Sequence, residues 1–200
     1  MTRRGMNTDF LTPEELEQYG VQDAARRNIL VHKTCVILDF AHIEFGSNVR
    51  IDPYCVITCK QLKLGDYIHI GSGCTLSGDA RIRIGDFGGI SNHSLIFTSS
   101  DDYSGRSLTN PTVPVKFTNV HTDEVSVGRH AILGARTIVL PGSNIPEGAS
   151  TGAGTLVKGS LDPWMIYAGS PAVAIKPRVK DCLSLEAELR ASQIVQSSLE

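Results

Sequence analysis

From Phe45 to Val157 a large apolar residue recurs every six positions, and small residues recur at fixed offsets between them. The anchors are Phe45, Ile51 and Ile57; Leu64, Ile70 and Leu76; Ile84, Ile90 and Ile96; and, after a gap, Val127, Leu133, Val139, Ile145, Thr151 and Val157. Thr151 is the one polar anchor. Glycine often follows the anchor, as in Gly46, Gly65, Gly71, Gly85, Gly128, Gly134 and Gly152. The residue four places on is usually small: Cys55, Cys74, Ala80, Ser94, Ala131, Thr137, Ala149, Thr155. Neither a 3.6-residue helix nor simple two-residue alternation gives this beat.

A repeat too short to bury its own apolar face must stack on copies of itself, and a hexapeptide period points to a parallel β-helix. Three hexads make one triangular coil, each hexad laying down a strand of about 17 Å or less at roughly 3.3 Å per residue. The phase slips by one residue between Ile57 and Leu64 and by two between Leu76 and Ile84. Both slips fall between three-hexad sets, where a corner absorbs an insertion without turning any strand inside out. The predicted fold is all-β, a parallel β-helix over 31–161 with an inserted loop at 97–126. A helical segment (1–30) precedes it and a tail with a helix (162–200) follows.

Thr12 as N-cap, Pro13 at the first helical position and Glu15 as the reciprocal partner form a capping box, and Gly20 ends that short helix. Val31 to Ala41 alternates weakly and reads as a degenerate first coil that caps the prism. In the tail, Leu183, Leu185, Leu189 and Ile194, with Glu and Arg between them, predict a helix from about Asp181 to Leu199 packed on the prism or on a neighbour. The loop is the longest break in the pattern, and an excursion of that length is more often functional than decorative.

Composition narrows the classes. A formal charge of −2 with mixed signs leaves no basic stripe, so nucleic acid is not an expected partner. No stretch reaches eighteen apolar residues and Met1 to Phe10 is polar, which predicts a cytoplasmic protein without membrane insertion. The five cysteines are odd in number without CxxC spacing. Cys55 and Cys74 fill small-residue slots of the repeat, as buried free thiols would.

The hexads, the loop, the stretch Gly152-Ala153-Gly154-Thr155-Leu156-Val157-Lys158 and the closing Gly169-Ser170-Pro171-Ala172 with basic residues behind it resemble the hexapeptide-repeat acyltransferases. Over roughly 30–180 the chain is most similar to their galactoside and lipopolysaccharide O-acetyltransferases. The resemblance, not the periodicity, implies a left-handed helix, a homotrimer and acetyl-CoA as donor, without a metal. It implies acetyl transfer to a hydroxyl or amino group of a sugar, nucleotide-linked or lipid-linked, on the way to surface polysaccharide. Carried over by motif, Ala135 and Ala153 let the pantetheine arm approach the coil, while Lys158 and Lys176, helped by Arg178, meet phosphates; as bare residues, those lysines read equally well as solvated surface charges.

Acetyl transfer by direct attack needs a base for the acceptor's proton and donors for the oxyanion. Related enzymes place a histidine near the start of the loop. Here Ser99-Ser100-Asp101-Asp102-Tyr103 contains none. Either a loop carboxylate takes part or a histidine from elsewhere does. Counting hexads puts Asp102 after the third strand of its coil and His130 on the first strand of the next, so the expected pair is His130 as base with Asp102 orienting it. His69 and Asp79 stand where related enzymes line the acceptor pocket, completed by a subunit neighbour. His93 and His121 are further candidates, less well placed by motif. Any one of these histidines is also readable as an ordinary surface side chain. Tyr103 and Phe117 have two readings: a platform for a sugar ring, or apolar anchors pinning the loop, the simpler of the two.

Two other classes share such a prism. A zinc-dependent carbonic anhydrase needs three convergent histidines, and His121 and His130, nine apart, have no third partner at an evident spacing. A non-catalytic scaffold would keep the prism without acetyl-CoA binding.

Overall fold

The computed structural model describes residues 9–197, so most of the polar start lies outside the described residues, as do Leu199 and the side chain of Ile194. The chain winds about seven coils of a parallel β-helix, with three faces. Face 1 stacks Ile29–Val31, Val49–Ile51, Ile68–Ile70, Gly89–Ile90, Ile132–Leu133, Ser150–Thr151 and Met165–Ala168 in one parallel sheet, closed by the antiparallel Val173–Pro177. Face 2 stacks Val36–Ile37, the start of Val56–Leu64, the start of Thr75–Ile84, Leu95–Phe97, Ile138–Val139 and Leu156–Val157. Face 3 stacks Ile43–Glu44, the ends of the two long strands, Val125–Val127 and Asn144–Ile145.

The six-residue beat becomes register. Ile51, Ile70, Ile90, Leu133, Thr151 and Tyr167 lie one above another on face 1. Ile57, Leu76, Ile96, Val139 and Val157 do so on face 2. Almost all of these aliphatic anchors are at most 3% exposed, and each is worth about 1.5–3 kcal/mol of burial. Thr151 is tolerated inside because its hydroxyl meets Thr137 Oγ1 at 2.9 Å and accepts from the Gly134 N–H at 3.1 Å. Buried Cys55, Cys74 and Ser94 occupy one corner, and each donates to a backbone carbonyl one coil further on or in its own turn. All five cysteines are free thiols.

The predicted capping box is present. Thr12 Oγ1 accepts from the Glu15 N–H, and Glu15 Oε2 accepts from the Thr12 N–H at 2.7 Å, opening α1 (Pro13–Gln18). The first coil is longer than Val31 to Ala41, running from Ile29 to Glu44. The loop leaves after Phe97 on face 2 and returns at Val125 on face 3.

The C-terminal helix, α2 (Cys182–Ser197), forms as expected but docks differently. Its contact stripe is Cys182, Glu186 and Arg190, spaced by one turn each, while Leu185 is 64% exposed. On the prism a charged network holds the helix with Leu183 half-buried, while Leu185 and Leu189 stay on its exposed side.

The edge between faces 3 and 1 explains that choice. One residue per coil adopts a left-handed backbone there: Asn28, Asn48, Tyr67, Phe87, His130, Gly148 and Trp164, with φ between 51° and 69°. Large side chains seldom accept this conformation. Their rings compensate by stacking: Tyr67 on Phe87 at 4.8 Å, Phe87 on His130 at 5.0 Å, and His130 against Trp164 at 6.2 Å. Gly148 interrupts the ladder by necessity, since a Cβ there would stand 2.3 Å from the Trp164 ring.

Candidate functional site

The edge between faces 2 and 3 is built from insertions. Cys59 pairs with Gly78 and Gln61 with Arg81, so the strand Thr75–Ile84 bulges, its Asp79 and Ala80 together facing the single residue Lys60. These are the residues behind the one- and two-residue phase slips. One coil earlier the same corner carries the 3₁₀ turn Phe40–His42, and one coil later it carries the loop. Four successive coils thus widen one corner of the prism.

The loop is tied down at its root by polar contacts. Ser99–Ser100 pairs antiparallel with His121–Thr122, the Asp79 N–H donates to Ser99 Oγ at 2.9 Å, and the Asp123 N–H donates to Thr98 O at 3.0 Å. Around this root run three depressions that share walls. The N-terminal one, ≈ 510 Å³, is lined by His42, Lys60, Gln61, Asp79 and Arg81 among others. The middle one, ≈ 390 Å³, shares Asp79 with it and adds Ser99, Ser100, Asp101 and Asn110. The C-terminal one, ≈ 470 Å³, shares Ser100 and Asp101 with the middle one and adds Tyr103, His121, Leu140, Leu156 and Lys158. Cations, carboxylates and an apolar wall with one lysine follow one another along a single edge.

Several expected residues meet here. Asp79, Tyr103 and Lys158 line the chain of depressions, and His121 stands directly across from Ser100. Tyr103 is 91% exposed and Phe117 is 51% exposed, so Tyr103 does not pin the loop as an apolar anchor.

The pairing of His130 with Asp102 is overturned. The loop leaves from the edge between faces 2 and 3, whereas His130 turns the edge between faces 3 and 1; the two residues stand on different corners. His130 is 6% exposed, beneath α2, and its Nε2 lies 2.7 Å from Glu186 Oε2. Glu186 also accepts from Arg129 and, at 2.6 Å, from Arg190 Nε. Burial works to raise the Glu186 pKa, but hydrogen bonds from Arg190, Arg129 and His130 outweigh it and hold the carboxyl at about 2. Asp102 instead accepts from the Ser104 N–H at 2.8 Å, and the Ser104 hydroxyl and amide keep its carboxyl below the usual range.

His69 lies on face 1, away from Asp79, with its Nε2 2.8 Å from Asp52 Oδ2; Arg50 Nε donates to the other oxygen at 2.6 Å. His93 turns the edge between faces 1 and 2 and is exposed. His121 and His130, weighed as zinc ligands, stand at different corners.

Ala135 and Ala153 stack at the edge between faces 1 and 2, joined by the Gly154 N–H donating to Ala135 O at 2.8 Å. The Gly169–Ala172 turn lies over the same edge, with Ala172 N–H donating to Leu156 O at 2.8 Å. Lys176 pairs with Ile166 on face 1 and is exposed. Arg178 serves the fold: its Nη1 donates to His130 O at 2.7 Å and Gly148 O at 3.0 Å, and the guanidinium faces Trp164.

The alternative of a loop carboxylate covers Asp101, whereas motif matching does not single out Ser100, Lys60 and Arg81, which line the same depressions. The phase slips at Lys60 and Asp79–Ala80 were the signal that could have found this edge.

No protein-family model matches the chain. It is 33% identical to a dTDP-4-amino-4,6-dideoxy-D-glucose acyltransferase of Escherichia coli, over 92% of this chain and 97% of that one. It is 32% identical, over 68% and 70% of the two chains, to a putative colanic acid biosynthesis acetyltransferase, WcaF, of Escherichia coli K12. Among solved structures it superposes with a TM-score of 0.87 and 36% identity on AntD, an N-acyltransferase from Bacillus cereus in complex with dTDP and 3-hydroxybutyryl-CoA. The match covers 93% of this chain and 98% of AntD.

Proposed function

The chain belongs to the hexapeptide-repeat sugar acyltransferases with the left-handed β-helix fold, acyl-CoA-dependent enzymes, and within that family we propose that it acylates the amino group of a nucleotide-linked deoxysugar. The observation that carries this reading is that Ser100 and Asp101 belong to both the middle and the C-terminal depression. Two substrates that exchange an acyl group must meet at residues common to both sites.

In this reading the acceptor's amino group sits against Asp101. Its nitrogen attacks the thioester carbonyl, a C–N bond forms, the C–S bond breaks, and CoA leaves as its thiolate, which ends with the proton that the nitrogen gives up. The nitrogen gains positive charge as it attacks, and a carboxylate held beside it lowers that barrier. Asp101, with the His121 imidazole across from Ser100, takes the proton in the course of attack. An amino acceptor suits this pair of groups, since a carboxylate also attracts the ammonium form. The amine rather than the hydroxyl is favoured by the relative and by AntD, both named for amino-sugar or N-acyl transfer.

The donor runs along Ala135 and Ala153 under the Gly169–Ala172 turn, with Lys158 toward its phosphates. This arrangement works as a homotrimer, in which that edge of one subunit faces the loop root of the next. The half-exposed apolar row Leu95, Ile138 and Leu156 on face 2 supports such packing. The acyl group is not restricted to acetyl: Leu140, Pro141 and Leu156 give the donor end of the depression an apolar wall. The described residues include no helix long and apolar enough to cross a membrane.

The test is thiol release from acyl-CoA with a panel of nucleotide-linked amino sugars. Asp101→Asn is expected to lower kcat by about 10²–10⁴-fold while CoA affinity stays within a few-fold. Full turnover in that variant would remove Asp101 from the reaction.

A further inference from the structure

We infer that Lys60 and Arg81 bind the diphosphate of the acceptor, so that the nucleotide lies toward the N-terminal coils and the acyl-CoA toward the C-terminal ones. This rests on the reading of the acceptor as a nucleotide-linked sugar and adds its direction and its anionic subsite. Three observations converge on it.

The first is continuity. The N-terminal depression joins the middle one at Asp79, and the middle one joins the donor end at Ser100 and Asp101. A ligand whose sugar sits at Asp101 and whose remaining length points away from the donor has one enclosed way to go along this edge. A pyranose carries its C1 and C4 substituents at opposite ends of the ring. With the amino group at C4, as in the sugar for which the Escherichia coli relative is named, an amine at Asp101 turns the linked diphosphate toward Lys60.

The second is spacing. Lys60 lies two coils before the coil of Asp101 and Lys158 two coils after it, each about 10 Å along the axis at 4.7–4.9 Å per coil. Two phosphate-bearing substrates meeting end to end need cations on both sides of the reacting atoms, and the edge offers one on each side.

The third is how these side chains are held. Lys60 is exposed and lines the depression across from the Asp79–Ala80 bulge, and no ion pair engages it among the described residues. Arg81 Nε donates to Gln61 Oε1, which fixes the plane of the guanidinium, and its Nη1 stands 3.9 Å from Glu124. Glu124 is itself engaged by Arg83 at 2.8 Å, and His42 is 3.6 Å from Asp39. The cations left to a ligand are Lys60, as a mobile point charge, and Arg81, as a preset fork.

Calorimetric titration of the full chain with dTDP, UDP, GDP and, separately, CoA tests this. Lys60→Ala and Arg81→Gln are each expected to weaken nucleoside diphosphate binding by about tenfold to a hundredfold with CoA affinity unchanged, and Lys158→Ala to show the opposite pattern. Lys60 is exposed, so its variant folds even if the Arg81 variant does not. Undiminished diphosphate affinity in Lys60→Ala, or a loss of CoA binding instead, overturns the subsite while leaving the acceptor class standing. An unaltered protein that binds CoA but none of the three diphosphates overturns both.

Discussion

The two edges that border face 3 use the same kind of corner in opposite ways. Between faces 3 and 1, each coil spends one left-handed residue on the turn, the rings of Tyr67, Phe87, His130 and Trp164 follow one another up the edge, and α2 seals the ladder with Glu186. Between faces 2 and 3, successive coils add residues, from the Asp79–Ala80 bulge to the whole loop, and the added residues stay open to solvent around Asp79 and Asp101. A solenoid stabilises itself where its repeat is regular and acquires chemistry where the repeat is broken. His130 illustrates the point: an imidazole beside a carboxylate looks like catalytic apparatus, yet it belongs to the sealed edge.

The strongest way to break this contrast is His130→Ala. Removing the ring takes out the stacking partner of Phe87 and leaves buried Glu186 with one donor fewer. That is expected to cost about 2–4 kcal/mol, a fall in Tm on the order of 10 °C. Turnover per folded molecule should persist, measured by thermal unfolding alongside thiol release at low temperature. A collapse of turnover with Tm intact would move the chemistry to the sealed edge and invert the assignment.

The regular parts of this chain were legible and the irregular parts were not, for a physical reason. Burial enforces a six-residue beat because every anchor must face one narrow core, so Ile51, Ile70 and Ile90 announce their places. Local hydrogen bonding enforces the Thr12 capping box equally well. Which corner a hexad precedes is not fixed by the beat, since all three corners share the same spacing. Counting from Phe45 therefore placed Asp102 and His130 on one edge when they occupy two. The charged stripe of α2 escaped notice because it depends on Arg129, which is 57 residues from Glu186 in sequence. The phase slips were visible, but they were read as tolerated insertions rather than as the groove itself.

A smaller effect, acid release of α2, sharpens the contrast from the other side. The folded-state pKa of Glu186 is about 2 against an ordinary 4.5, so its contribution is complete above pH 4.5 and is lost as pH falls toward 2. The groups facing it are Arg129, Arg190 and His130; Asp86 holds the far side of Arg190 at 3.0 Å. Trp164, the one tryptophan of the chain, stands at this edge 6.2 Å from the His130 ring. Its fluorescence should change between pH 4.5 and 2 in the unaltered protein, and that step should vanish in Glu186→Gln. A step that survives the substitution would assign the transition to another carboxylate.

The smallest expected change in stability belongs to the open edge. Tyr103 is 91% exposed at the donor end of the loop root, so Tyr103→Ala should alter folding free energy by no more than about 0.5 kcal/mol. An exposed ring on an ordered loop still has an apolar face for a sugar to rest on. Because Tyr103 lines only the donor end while the acceptor points to the N-terminal coils, KM for the acceptor should stay within about twofold, and a rise of about threefold to tenfold would bring the sugar onto this ring. An unchanged KM would leave Tyr103 as a solvated loop residue and confine the acceptor to Asp79, Ser100 and Asp101. A fall in Tm of several degrees would mean that the loop leans on this ring after all, and the open edge would then share in holding the fold together.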